Sequence, residues 1–252
     1  MRARIVSAAQ GARWLLEGWK LFSAAPLAWL GLLLAYWLLM TLASIIPFIG
    51  VAVASIAVPA FSVGFMAAAR AASRRAGIEM TLLFDGFRHE LRPQLVLGAI
   101  YLACLALVMG GGSLADDGAL ARWMLTGKRP AGDVLQSDAF LTALAGTGAL
   151  YLPVMMMFWF APPLVAWHSA APAKALFYSF FACLMNWRAF LAYGAAAALV
   201  TLVVPFLLVV TLRTVFAGAS FAWLAFPLLS VLLPTLFASF YASYRDVFGT
   251  PE

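Results

Sequence analysis

The chain has 252 residues but only two histidines, two cysteines and ten acidic residues, so few places could move a proton or hold a metal. Asp85, His89 and Glu90 form the tightest such group, with Asp85 and His89 one helical turn apart. They suggest an acid–base pair or part of a metal site. However, His89-Glu90-Leu91-Arg92 lacks the second histidine of a zinc-binding HExxH, and two ligands fall short of a structural zinc site. A solvated polar face is the expectation. Met155-Met156-Met157 offers soft thioethers of the kind that suit Cu(I), yet three successive residues point in three directions on a helix, which favours packing. Cys104 and Cys183 sit in apolar stretches with no CxxC neighbour and read as small buried hydrophobes. There is no Ser/His/Asp set, Walker loop or GxGxxG unit. The expectation is therefore no enzyme, no metal and no cofactor.

The remaining candidates lie in or beside long apolar runs. Pro59, Pro163 and Pro234 interrupt such runs, His168 follows Trp167 just after Pro162-Pro163, and Arg213 ends a run where it can snorkel outward. Interrupted helices recur in transporters, so these five residues are the candidates for a cavity or gate. Gly64, Ala68, Ala71 and Ala72 form a strip of small residues suited to close helix packing or to a partner.

The elements that must position these residues follow from composition. The chain is 65% hydrophobic and 10% charged, with a mean hydropathy of +0.97. Soluble domains run at about 45–50% apolar and about 25% charged, so a cytosolic enzyme, a disulfide scaffold and a disordered chain are all excluded. Six stretches are long enough to cross a bilayer: 26–46, 49–69, 94–111, 139–167, 188–212 and 219–241. The fourth carries Pro153, Pro162 and Pro163 and should kink or break near its end. Gly110-Gly111-Gly112 should open an outer loop, in which Ser113, Asp116 and Asp117 cap a short helix that Gly127 stops. The fold is expected to be all-α, one integral membrane domain over 1–252.

Arg2, Arg4, Arg13, Lys20, Arg70, Arg74, Arg75, Arg88, Arg92, Lys174, Arg188 and Arg245 fall on one side of this threading; Arg122, Lys128, Arg129 and Arg213 fall on the other. Positive charge marks the inner side, so the N- and C-termini are expected in the cytoplasm. The net charge is +6, and its bases cluster beside apolar runs, so anionic lipid headgroups rather than nucleic acid are the expected partner.

An amphipathic segment precedes each pair of spans: 7–24, 81–92 and 172–187. Each is expected to lie in the headgroup plane on the cytoplasmic side. Trp14, Trp19, Trp29, Trp167 and Trp187 fit an aromatic belt. Gly18, Gly86 and Ser179 stand at matching places before the spans, and Pro59, Pro163 and Pro234 at matching places in the second span of each pair. Three repeats, 7–75, 81–167 and 172–245, are expected.

The signature Gly-Trp-Lys-Leu-Phe-x-x-x-Pro-x-x-Trp from Gly18 to Trp29, with the turn Ile46-Pro47-Phe48-Ile49-Gly50, resembles a group of six-span proteobacterial inner-membrane proteins. It is more distantly similar to YciC-type proteins and to the membrane domain fused to some glycerophosphoryl diester phosphodiesterases. The resemblance implies a location in the bacterial inner membrane and carries no catalytic activity, because the phosphodiesterase domain has no counterpart here. Two functions are expected from these readings. One is a non-enzymatic scaffold or accessory protein that organises lipids, an inner-membrane protein partner or a homo-oligomer. The other is a small transporter or channel for an uncharged or amphipathic solute.

Overall fold

Hydrocarbon offers backbone N–H and C=O groups no partner, so long apolar runs close their hydrogen bonds within helices. The computed structural model of the chain describes residues 3–46, 49–215 and 225–249. Among them the regular structure is all helical. In chain order it comprises α1 (Ala8–Ala24), α2 (Pro26–Ser44), α3 (Ile49–Ser73), a 3-10 turn (Met80–Phe84), α4 (Asp85–Arg88), α5 (Leu91–Asp116), α6 (Ala119–Thr126) and α7 (Gly132–Leu135). There follow α8 (Asp138–His168), α9 (Pro172–Met185), α10 (Trp187–Ala198), a π-helical segment (Leu199–Val203), α11 (Val204–Val215) and α12 (Ala225–Phe248).

Six stretches of the described residues are long and apolar enough to span: Pro26–Ser44, Ala52–Ser73, Leu91–Asp116, Asp138–His168, Trp187–Leu212 and Phe226–Phe248. Their ends differ from the expected ones for identifiable reasons. α5 runs straight through Gly110-Gly111-Gly112, because Gly112 lies so close to α8 that a Cβ there would overlap Thr147 Oγ1. α8 stays continuous through all three prolines, and neighbouring side chains supply hydrogen bonds around them. Gln94 Nε2 donates to the Pro162 carbonyl at 2.8 Å. The Ser179 hydroxyl donates to the Met156 carbonyl at 2.7 Å and accepts from the Phe160 N–H at 2.9 Å. α6 forms where its cap was expected: Asp116 accepts from Leu120 N at 2.7 Å, and Gly127 ends the helix at φ 69°. Pro47, Phe48 and residues 219–224 of the expected sixth run lie outside the described residues.

The proline-bearing helices α3, α8 and α12 meet in the middle of the bundle. Phe65 stacks on Phe237 with centroids 4.2 Å apart, Trp159 meets Phe240 at 4.6 Å, and the Arg70 guanidinium lies 4.7 Å from the Trp167 ring centre. α2 packs on α3, α5 lies against α3 and α8, and α10 packs on α1. The main core fills the half of the bundle where Arg4, Lys20, Arg70 and Arg245 collect, here called the basic end.

The three introductory segments depart most from expectation. α1, within the amphipathic segment expected at 7–24, buries Gly11, Trp14, Leu15, Gly18 and Phe22 against α10 and α12, and leaves Leu16 and Trp19 exposed. Two glycines allow this: a Cβ at Gly11 would overlap the Ala189 carbonyl, and one at Gly18 the Thr235 carbonyl. Trp14 and Trp29, expected in an aromatic belt, are fully buried. The segment expected at 81–92 is not one helix. The 3-10 turn and the single turn of α4 end at His89, Glu90 takes φ 58°, and Pro93 sits in the first turn of α5, where its missing N–H costs no helical bond. α9 turns Ala175, Ser179 and Ala182 inward onto α8 and exposes Phe177 and Phe181.

Replacing Gly18 by leucine forces α1 off α12. We expect the apparent melting midpoint of the purified protein in detergent to fall, by overpacking of about 1–3 kcal/mol. Gly110→Leu, at an open position on α5, leaves the midpoint near wild type.

Candidate functional site

α8, α9 and α10 enclose a groove of about 670 Å³ whose walls include Leu152, Met155, Trp159, Cys183, Phe190 and Tyr193. It arises because α9 draws close to α8 through its small residues while α10 leans on α1. Several of its polar groups are already engaged. The Tyr193 hydroxyl is 2.7 Å from Ser239 Oγ, the Cys183 thiol is 3.6 Å from the Met156 carbonyl, and Trp159 Nε1 donates to Ser243 Oγ at 3.2 Å. What these walls present is therefore hydrocarbon. Trp187 also lines the groove, and the Arg188 guanidinium sits 5.3 Å from the centre of the Trp187 ring.

A smaller pocket of about 270 Å³, here called the inner cavity, opens between α3, α5, α8 and α12. Pro59, Ser62, Tyr101, Tyr151, Pro162 and Phe240 contribute to its wall. The Tyr101 and Tyr151 hydroxyls are 3.2 Å apart, and Ser62 donates to the Pro59 carbonyl at 2.7 Å.

The structure scatters the sequence candidates. Pro59 lines the inner cavity, but it is Pro162 rather than Pro163 that does so from α8. Pro163 is buried, as is Pro234, which sits next to the Thr235 carbonyl that Gly18 abuts. His168 stands at the basic end, with Nε2 2.6 Å from the Tyr244 hydroxyl. Arg213 falls in the last turn of α11, and its side chain lies outside the described residues. In the strip of small residues, Gly64 is covered by the Leu83 backbone of the 3-10 turn and Ala68 is fully buried, whereas Ala71 and Ala72 are half-buried. Asp85 and His89 face each other at 3.4 Å, with the His89 side chain 64% exposed. Among the described residues, no three His, Cys, Asp or Glu side chains gather where they could hold a metal ion.

Sequence reasoning missed a polar network that joins α1 to α12. Asp246 accepts from Gln10 Nε2 at 2.6 Å and from Trp14 Nε1 at 2.9 Å. Arg245 pairs with Glu17 and also reaches Asp246 Oδ1 at 3.2 Å. Glu17 has Arg13 and Lys20 within one turn on its own helix, yet its partner is on α12. Two further bonds hold the segment before α1: Arg4 N–H donates to the Val247 carbonyl at 2.8 Å, and Val6 N–H donates to Asn186 Oδ1 at 2.8 Å. The one available signal was that Gln10, Trp14 and Glu17 share a helical face.

Six apolar spans around a core of aromatic rings, with the ionisable side chains gathered at the ends, define a multi-pass membrane protein. The chain is 39% identical over 253 residues to a "probable inner membrane protein" of Burkholderia thailandensis, covering 98% of this chain and 94% of the relative. It belongs to the same family of inner-membrane proteins. No family model matches the chain, and no solved structure matches it.

Asp246→Ala strips Gln10, Trp14 and Arg245 of their shared acceptor. We expect a loss of about 1–3 kcal/mol, the cost of leaving buried donors unpaired, read as a lower midpoint in a detergent thermal melt.

Proposed function

We propose that the protein is a non-enzymatic inner-membrane scaffold that organises lipid, holding acyl chains in the groove between α8, α9 and α10. The observation that carries this reading is the groove itself: about 670 Å³, within the range of about 300–1,000 Å³ typical of small-molecule sites, with its Tyr193, Cys183 and Trp159 polar atoms already bonded inside the protein. An aliphatic chain needs no hydrogen bond and fits such walls. Arg188, beside the rim at Trp187, is suited to an anionic headgroup.

In this reading the basic end faces the cytoplasm, following the distribution of Lys and Arg. The chain is built as three repeats, 7–75, 81–167 and 172–245. Their seating supports this: Gly18 rests on α12, Gly86 on α3 at Ala60, and Ser179 on α8. Each introductory segment thus places its small residue on the proline helix of the preceding repeat, and the first closes onto the last.

The inner cavity favours a second reading, a carrier for a small uncharged or amphipathic solute, because its paired Tyr101 and Tyr151 hydroxyls offer a polar spot among apolar walls.

The two readings separate by substitution. Gly194 lines the groove and has open space beside it, so Gly194→Phe fills the groove without meeting backbone. After mild-detergent purification, quantitative lipid mass spectrometry should show several-fold less phospholipid per protein for Gly194→Phe and no change for Tyr151→Phe. Unchanged retention in Gly194→Phe defeats the lipid reading, and a loss in Tyr151→Phe moves the function to the inner cavity. Orientation has its own test, in a background lacking Cys104 and Cys183. A membrane-impermeant thiol reagent should label Asp133→Cys in intact spheroplasts and Glu90→Cys only after lysis.

A further inference from the structure

At the basic end, where α1, α3 and α12 meet, lies a polar hollow of about 300 Å³ walled by Glu17, Lys20, Leu21, Ser73 and Arg245. It shares no wall residue with the lipid groove, so it stands or falls independently of the scaffold reading. Its electrostatics are unequal. Arg245 is held from two sides, by Glu17 and by Asp246 Oδ1, through its Nε and Nη2 atoms. That leaves the two Nη1 donors unengaged among the described residues, on a guanidinium already fixed in place. Glu17 is satisfied by this pairing, and Asp246 is further occupied by Gln10 and Trp14. The Lys20 ammonium makes no hydrogen bond or ion pair among the described residues, and it supplies positive charge that Glu17 does not offset. Arg70, one turn before Ser73 on α3, adds a third cation nearby, stacked over Trp167. The Ser73 hydroxyl, 2.7 Å from the Arg70 carbonyl and 3.3 Å from the Tyr241 hydroxyl, gives the hollow a polar side.

Two cationic donors from different helices, one of them oriented by carboxylates, make a receptor for a tetrahedral oxyanion. Its surroundings suit that ligand: Trp19, beside Lys20, is 49% exposed and Leu27, at the start of α2, is 83% exposed, the aromatic and apolar surface expected beside headgroups. We propose that this hollow binds a phosphate group, held between Lys20 Nζ and Arg245 Nη1, carried by a phospholipid headgroup or a soluble phosphate ester.

The test uses the full chain in a maltoside detergent, which contains no phosphate. Thermal stabilisation is titrated with dihexanoyl phosphatidylglycerol, with glycerol phosphate and with inorganic phosphate. Wild type should be stabilised. Lys20→Gln, at an exposed position, should keep the ligand-free midpoint and bind roughly fivefold more weakly, as expected for losing one charge-assisted bond near the surface. Arg13→Gln, on the exposed side of α1, should match wild type. Stabilisation by the lipid alone identifies a headgroup site, and stabilisation by all three compounds identifies a site for soluble phosphate esters. No stabilisation by any of them, or equal stabilisation of Lys20→Gln and wild type, overturns the proposal.

Discussion

A polar group carried into hydrocarbon must find its partner within the protein, and much of this structure follows from that demand. Asp246, shut in at the basic end with its side chain 15% exposed, is held to the same demand. It continues a helix that crosses the membrane, and the donors that satisfy it belong to Gln10, Trp14 and Arg245. α1 is thereby held against α12, and Gly11 and Gly18 make the close approach sterically possible. The same demand shapes the other proline helices. Ser179 places its hydroxyl between Met156 and Phe160, and Gln94 reaches the Pro162 carbonyl, so α8 keeps its course through a proline pair that would otherwise weaken it.

The two halves of the bundle differ in consequence. Near the basic end, α1, the 3-10 turn with α4, and α9 wrap α12, α3 and α8, and large side chains such as Trp14, Trp29, Phe65 and Tyr244 are shut away. Beyond the π-helical segment, α11 exposes Leu207 and Phe206, whereas α10, the first half of the same span, packs on α1 and buries Ala189 and Tyr193. The groove opens where these regimes meet, with one wall from the packed half and another from the helix that leaves it.

The spans were legible because length and hydropathy are additive along the chain: each run of apolar residues counts without reference to any other. The cap of α6 was legible for a similar reason, since Asp116 and Gly127 act on their own turns. What could not be read were decisions made between distant segments. Nothing local distinguishes Trp14, which is buried on Asp246, from Trp19, which is exposed. Three consecutive glycines at 110–112 look like a loop until α8 is placed beside them. The candidate prolines were chosen as interruptions, yet the backbone around them is helical, and only Pro59 of the three lines the inner cavity.

The seating of α1 also imposes a schedule. Trp14 and Asp246 are 232 residues apart, so the helix synthesised first has its hydrogen-bonding partner on the helix synthesised last. At about 5–20 residues per second, α1 waits on the order of tens of seconds for its seat. Throughout that interval its glycines and Trp14 face no α10 or α12, and lipid is the apolar surface left to cover them.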